Sequence, residues 1–219
     1  MMRDNGTYCP LIFNEIYADS SGEYRLCCHA DASDCSHKYT LQTHTPFEYF
    51  MSPEMEEKRR LVLSGQKLEE CQICYEQEEE TYIVAEKGIS AVKSYRTKAF
   101  KKLFNLTANY VPPTSVDKIN LKLRINGNFC NLSCYMCIPY NSSTRRKEMN
   151  KLYPEGLDFF SKSKYTPLKN ERWELIVDDI IENIDKIHSM HLTGGEPLQL
   201  PKHWELLARI PDEYAKQIN

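Results

Sequence analysis

Nine cysteines in 219 residues fall into two separated groups, and any fold of this chain has to accommodate both. Six lie between Cys9 and Cys74, and three, Cys130, Cys134 and Cys137, follow after a long cysteine-free interval. The N-terminus MMRDNGTYCP lacks the apolar core of a signal peptide, and no stretch has the apolar length of a membrane span. The chain is therefore expected in the cytoplasm, away from membranes. Thiols stay reduced there, and a cysteine-rich chain without a secretion signal binds metal more readily than it builds disulfides. Lys and Arg total 28 against 31 Asp and Glu, so a formal net charge of -3 gives no drive toward nucleic acid or an anionic surface.

The cysteine-free interval ends in Pro112-Pro113 and reads as a connector. Three parts are expected: a cysteine-rich domain over 1–92, a helical connector over 93–115, and an α/β part over 116–219. In the first part, Ser52-Pro53-Glu54 has the form of a helix start and Gly65 that of its terminator, so this helix runs toward Cys71. In the connector, Tyr95, Ala99, Phe100, Leu103 and Phe104 recur at helical spacing, with Lys98, Lys101 and Lys102 on a solvated face. In the third part, Ile119, Leu121, Leu123 and Ile125 alternate with Asn120, Lys122 and Arg124, which is the period of a strand. A helix follows from Glu171, with an apolar stripe of Trp173, Ile176, Val177, Ile180, Ile184 and Ile187; Asp178, Asp179, Glu182 and Asp185 face away. A second strand, HSMHLT, runs straight into Gly194-Gly195-Glu196-Pro197. Strand, helix, strand is the unit of parallel α/β architecture, which places ligands at the carboxyl ends of its strands.

Cys130, Cys134 and Cys137 have the spacing C-x-x-x-C-x-x-C, directly after the first of these strands. Three thiolates on one short loop can hold three irons of a four-iron cluster and leave the fourth without a protein ligand. An open metal position is where chemistry can occur, as at a catalytic zinc with its vacant site. The triplet resembles the signature of radical S-adenosylmethionine (SAM) enzymes, and GGEP at the end of the second strand resembles that family's second motif.

The resemblance implies a fold, a partial (β/α) barrel, and a chemistry. A 4Fe–4S cluster on Cys130, Cys134 and Cys137 would donate one electron to SAM chelated at the open iron, giving methionine and a 5′-deoxyadenosyl radical that takes a hydrogen atom from substrate. Gly194 and Gly195 would let backbone approach the methionyl amino group, because they lack a Cβ, and Glu196 would add a charged acceptor. The family usually has an aromatic residue before the last cysteine; here Met136 stands there and Tyr135 precedes it. On barrel geometry Lys122, Arg124, Ser189, His191 and Thr193 would face the lumen that holds the substrate. A complete core needs more strand and helix units than follow Pro197, so a longer polypeptide or a partner chain is expected to supply them.

In the first group, Cys9, Gly22, Cys27 and the pair Cys71 and Cys74 resemble the auxiliary-cluster domains SPASM and Twitch, which occur in radical SAM enzymes that often modify peptides or proteins. The resemblance implies a second 4Fe–4S cluster, fully ligated by Cys9, Cys27, Cys71 and Cys74 and suited to electron transfer or structure. Cys28, Cys35 and His37 are alternative ligands, and zinc is the alternative metal. The domain usually follows the core, whereas here it precedes it. A peptide or protein substrate and an electron donor such as flavodoxin or ferredoxin are the implied partners. The rival from another class is a non-catalytic module in which zinc or clusters only staple two small domains.

Overall fold

The computed structural model describes residues 7–30, 38–80, 118–125, 127–154 and 168–218. Among them are four strands, β1 (Glu15–Ala18), β2 (Tyr24–Arg25), β3 (Ile119–Leu123) and β4 (Ile187–Leu192). They form one mixed sheet in the order β2-β1-β3-β4. Parallel pairing joins β1 to β3 and β3 to β4, and β2 lies antiparallel on β1. The architecture is thus mixed α/β with an open sheet. Its first two strands come from the segment that holds Cys9 to Cys74 and its last two from the segment that holds Cys130 to Cys137, so the sheet runs through both.

Register sorts the side chains onto two faces. Ile16, Leu121 and Met190 are aligned, as are Ala18, Leu123 and Leu192, and these rows share one face. Leu121 and Leu123 are fully buried in a core that includes Phe13, Phe50, Trp173, Ile176 and Ile180. The other face carries Glu15, Asn120 and Ser189 in one row and Tyr17, Lys122 and His191 in the next.

Eight α-helices accompany the sheet among the described residues. Four precede β3: α1 (Leu11–Asn14), α2 (Pro46–Phe50), α3 (Pro53–Leu63) and α4 (Gln72–Glu80). Four follow it: α5 (Ser143–Leu152), α6 (Asn170–Glu182), α7 (Pro201–Arg209) and α8 (Asp212–Ala215). The α3 start is as expected, with the Ser52 side chain accepting the Met55 N–H and Pro53 in the first turn. None of the described helices is long and apolar enough to cross a membrane.

Two details of the α6 region differ from the sequence pattern. The buried stripe of Trp173, Ile176, Val177 and Ile180 ends with the helix; Ile184 falls in a 3-10 turn and Ile187 opens β4, so the apolar periodicity continued across a change of structure. Asp179 does not face away. Its carboxylate accepts the Phe47 N–H at 2.8 Å at the start of α2, and burial pushes its pKa up. The helix expected around Tyr95–Phe104, the connector over 93–115, Cys35 and His37 lie outside the described residues.

Candidate metal centres

The loop bearing Cys130, Cys134 and Cys137 leaves the carboxyl end of β3 and is held against the first turn of α5. Ser142 caps that helix and also donates its hydroxyl to the Leu132 carbonyl at 3.3 Å. Ser143 Oγ accepts the Cys130 N–H at 3.1 Å, and Thr144 Oγ1 donates to the Cys130 carbonyl at 2.6 Å. Arg145 Nε donates to the Cys137 carbonyl at 3.3 Å. The run Ser-Ser-Thr-Arg after the triplet is therefore the loop's anchor, since short hydroxyl side chains at a helix start reach nearby backbone.

Exposure differs along the loop. Cys130 is buried, Cys137 is half-buried and Cys134 is exposed, while Tyr135 and Met136 are 97% and 91% exposed. The loop thus exposes Cys134 and the side chains beside it, while Cys130 stays buried. The Leu132 N–H donates to Cys130 Sγ at 3.3 Å. Burial, then the neighbouring Cys130 and Cys134, push the Cys137 thiol up, so a bound cation would have to displace its proton.

Gly194-Gly195-Glu196 follows β4 and is zipped onto this loop. The Thr193 N–H donates to Leu123, the Gly195 N–H to Gly127 and the Glu196 N–H to Phe129, at 2.9, 3.2 and 2.9 Å. A Cβ on Gly195 would meet the Phe129 carbonyl oxygen at 2.0 Å and Cys130 Cβ at 2.8 Å, so only glycine fits. Gly194 takes φ +133°, a value side chains resist. The Glu196 carboxylate accepts the Leu198 N–H at 3.2 Å and so caps the short turn Pro197–Gln199. In this geometry the two glycines let one loop approach the other, and the Glu196 side chain is engaged locally.

Cys9, Cys27, Cys71 and Cys74 converge from four places: the stretch before α1, the residues after β2, the 3-10 turn Glu69–Cys71, and the first turn of α4. All four line one cavity, with Ile12, Leu26, Val62, Leu68 and Tyr75 making most of the remaining wall. Its volume is about 30 Å³, more than the ~10–15 Å³ that a single water needs on this measure. Cys28 is exposed and is not part of the lining. Burial, then the neighbouring Cys9, push the Cys27 thiol well up, and the His29 N–H donates to its sulfur at 3.4 Å. Four soft donors in an apolar pocket fit a thiolate-bound metal group, whose charge would be met by the donors themselves. All eight described cysteines are free thiols, and among the described residues no three Cys, His, Asp or Glu side chains are gathered at the spacing of a single ion. A four-iron cluster takes each thiolate on a different iron and holds them farther apart.

The polar sheet face contains a buried residue that sequence reasoning missed, Glu15. Glu15 is buried, forms an ion pair with Lys122 at 2.7 Å and accepts the Asn120 side-chain amide at 3.2 Å; Asn120 in turn accepts the Ser189 hydroxyl at 2.5 Å. Lys122 and His191 are partner residues across β3 and β4, with His191 exposed. Of the other side chains expected at a lumen, Arg124 is committed to Ser20 and Asn141. The alternation of Glu15, Tyr17 and Asp19 with Ile16 and Ala18 was the available signal for β1, overshadowed by the cysteines beside it.

Comparison with protein-family models, curated proteins and solved structures found no match.

Proposed function

We propose that this chain carries the SAM-binding, iron–sulfur part of a radical SAM enzyme. The observation that carries this reading is the pairing of the two motif loops: the triplet loop and the Gly194-Gly195-Glu196 loop leave the carboxyl ends of adjacent parallel strands and are hydrogen-bonded to each other through Phe129. Such strand ends are where α/β sheets hold ligands. Cys130, Cys134 and Cys137 would hold a 4Fe–4S cluster, which supplies one-electron reduction of bound SAM. The loop's exposed side leaves room for a ligand that is not protein. Gly194 and Gly195 would present backbone to the methionyl group, and the sheet's polar face with Lys122 and His191 would orient substrate in a partial (β/α) barrel.

Cys9, Cys27, Cys71 and Cys74 would close a second 4Fe–4S cluster, or zinc, in a Twitch-like domain over 1–92. A peptide or protein substrate and a flavodoxin- or ferredoxin-type electron donor fit this reading, as does a cytoplasmic location, where the thiols stay reduced.

The test is anaerobic reconstitution with iron and sulfide, then incubation with SAM and dithionite. Methionine and 5′-deoxyadenosine should accumulate together, and neither should form with Cys134→Ala. A fully iron-loaded protein whose cluster signal ignores SAM and which yields no 5′-deoxyadenosine would refute the proposal.

A further inference from the structure

The hairpin between β1 and β2 belongs to the segment that carries Cys9, Cys27, Cys71 and Cys74, yet its turn grips the loop of Cys130, Cys134 and Cys137. Asp19 is buried at the end of β1, and its Oδ1 accepts the Ser21 N–H at 2.8 Å, the Ser21 hydroxyl at 2.5 Å and the Glu23 N–H at 3.1 Å. Its Oδ2 accepts the Tyr140 hydroxyl at 2.9 Å and forms an ion pair with Arg25. Next to it, Asn141 Oδ1 accepts Arg124 Nη1 at 2.6 Å and the fully buried Ser20 hydroxyl at 2.8 Å, and Arg124 also donates to Ser20 at 3.0 Å. Tyr140 and Asn141 come just after Cys137, and Arg25 comes just before Cys27.

Three features separate this network from ordinary packing. It is polar and largely buried, where apolar side chains of similar volume would serve stability equally well. Directional bonds fix position, and a binding loop must be held to within about half an ångström. It also engages Tyr140 and Asn141, whereas Ser142, Ser143, Thr144 and Arg145 at the start of α5 hold the cysteine stretch itself. The triplet loop is thus bonded both to the start of α5 and to the hairpin.

We infer that Asp19 and Ser20 are positioning residues for the SAM site: through Tyr140 and Asn141, the cysteine-rich segment holds the Cys130–Cys137 loop in the geometry that accepts SAM. This rests on the radical SAM reading above. The segment's role is then to shape the SAM site, in addition to housing its own metal group.

The test uses the full reconstituted chain and the variants Tyr140→Phe and Ser20→Ala, each of which deletes one hydroxyl and keeps the side chain's shape. Electron paramagnetic resonance of the reduced protein is followed during a SAM titration, and iron is counted per chain. Both variants should keep wild-type iron at the N-terminal site, while the SAM concentration giving half the spectral change rises about tenfold, the size expected for losing one hydrogen bond in a buried network. Iron loss confined to the triplet would support the same conclusion, because the loop would then have lost its shape. A SAM midpoint within about twofold of wild type in both variants overturns the inference, and so does iron loss from both sites, which would mark the network as merely structural. If the wild-type signal itself ignores SAM, the radical SAM reading fails and takes this inference with it; the two failures are told apart by that control.

Discussion

Gly195 lies against the backbone of Phe129 so closely that a Cβ would fall 2.0 Å from the Phe129 carbonyl oxygen. The atom in the way is backbone and cannot swing aside. Gly195→Ala should therefore separate the two motif loops, costing about 1–3 kcal/mol of stability by overpacking and weakening SAM binding. Thermal melts and a SAM titration on the same preparation check both effects. An alanine variant with unchanged melting and unchanged SAM response would show that the loops do not touch in this way.

The two thiol groups draw on different elements, so their metal contents should separate. Cys134 is exposed and Cys74 is buried in the wall of the N-terminal cavity. Cys134→Ala should retain the N-terminal metal and about half the total iron if both sites hold 4Fe–4S clusters. Cys74→Ala should do the reverse. Metal analysis of the purified, reconstituted variants gives the answer, and zinc at the N-terminal site would appear in the same measurement.

The Glu15–Lys122 pair at 2.7 Å joins a completely buried carboxylate to a partly exposed lysine side chain. Removing one partner leaves the other charge uncompensated, so Lys122→Met should cost about 3 kcal/mol or more. Removing both should cost less than Lys122→Met alone, since an apolar pair of similar volume restores the balance. Urea denaturation of the two single variants and the double variant measures the coupling. A double variant as unstable as the sum of the singles would remove the pair from the account.

His203 is buried in α7, and that burial lowers its pKa, opposed by a hydrogen bond to the Pro197 backbone. The folded state therefore binds fewer protons at this ring than the unfolded chain does. Stability at this position is full well above the unfolded pKa of about 6.5 and falls as the pH drops through it. Denaturant midpoints at pH 8 and pH 5.5 should differ more for the wild type than for His203→Phe. Equal differences would place the acid sensitivity elsewhere.

What the sequence made legible follows from how local each signal is. The strand over Ile119–Leu123, the Ser52 cap, the α6 stripe and the loop positions of the triplet and of Gly194-Gly195 are set by neighbours within a few residues, and periodicity or capping chemistry exposes them. The convergence of Cys9, Cys27, Cys71 and Cys74 was reached by resemblance and not by pattern, since their spacing alone leaves Cys28 as good a candidate as Cys27. Burial distinguishes them, and burial is a tertiary property. The place of Glu15 was hidden for a related reason: β1 has only four residues, and its partner β3 lies about a hundred positions away. The clamp of Asp19 on Tyr140 joins residues 121 positions apart and leaves no trace in either local pattern.

The central claim is that the metal on Cys130, Cys134 and Cys137 has one position that no protein atom fills. The most direct test is electron paramagnetic resonance of the anaerobically reduced Cys74→Ala protein, in which the triplet alone holds a cluster, recorded with and without SAM. Binding of the SAM amino and carboxylate groups at an open iron should shift the g-values of the cluster signal. A spectrum of a fully loaded cluster that is identical in the two samples would contradict the claim.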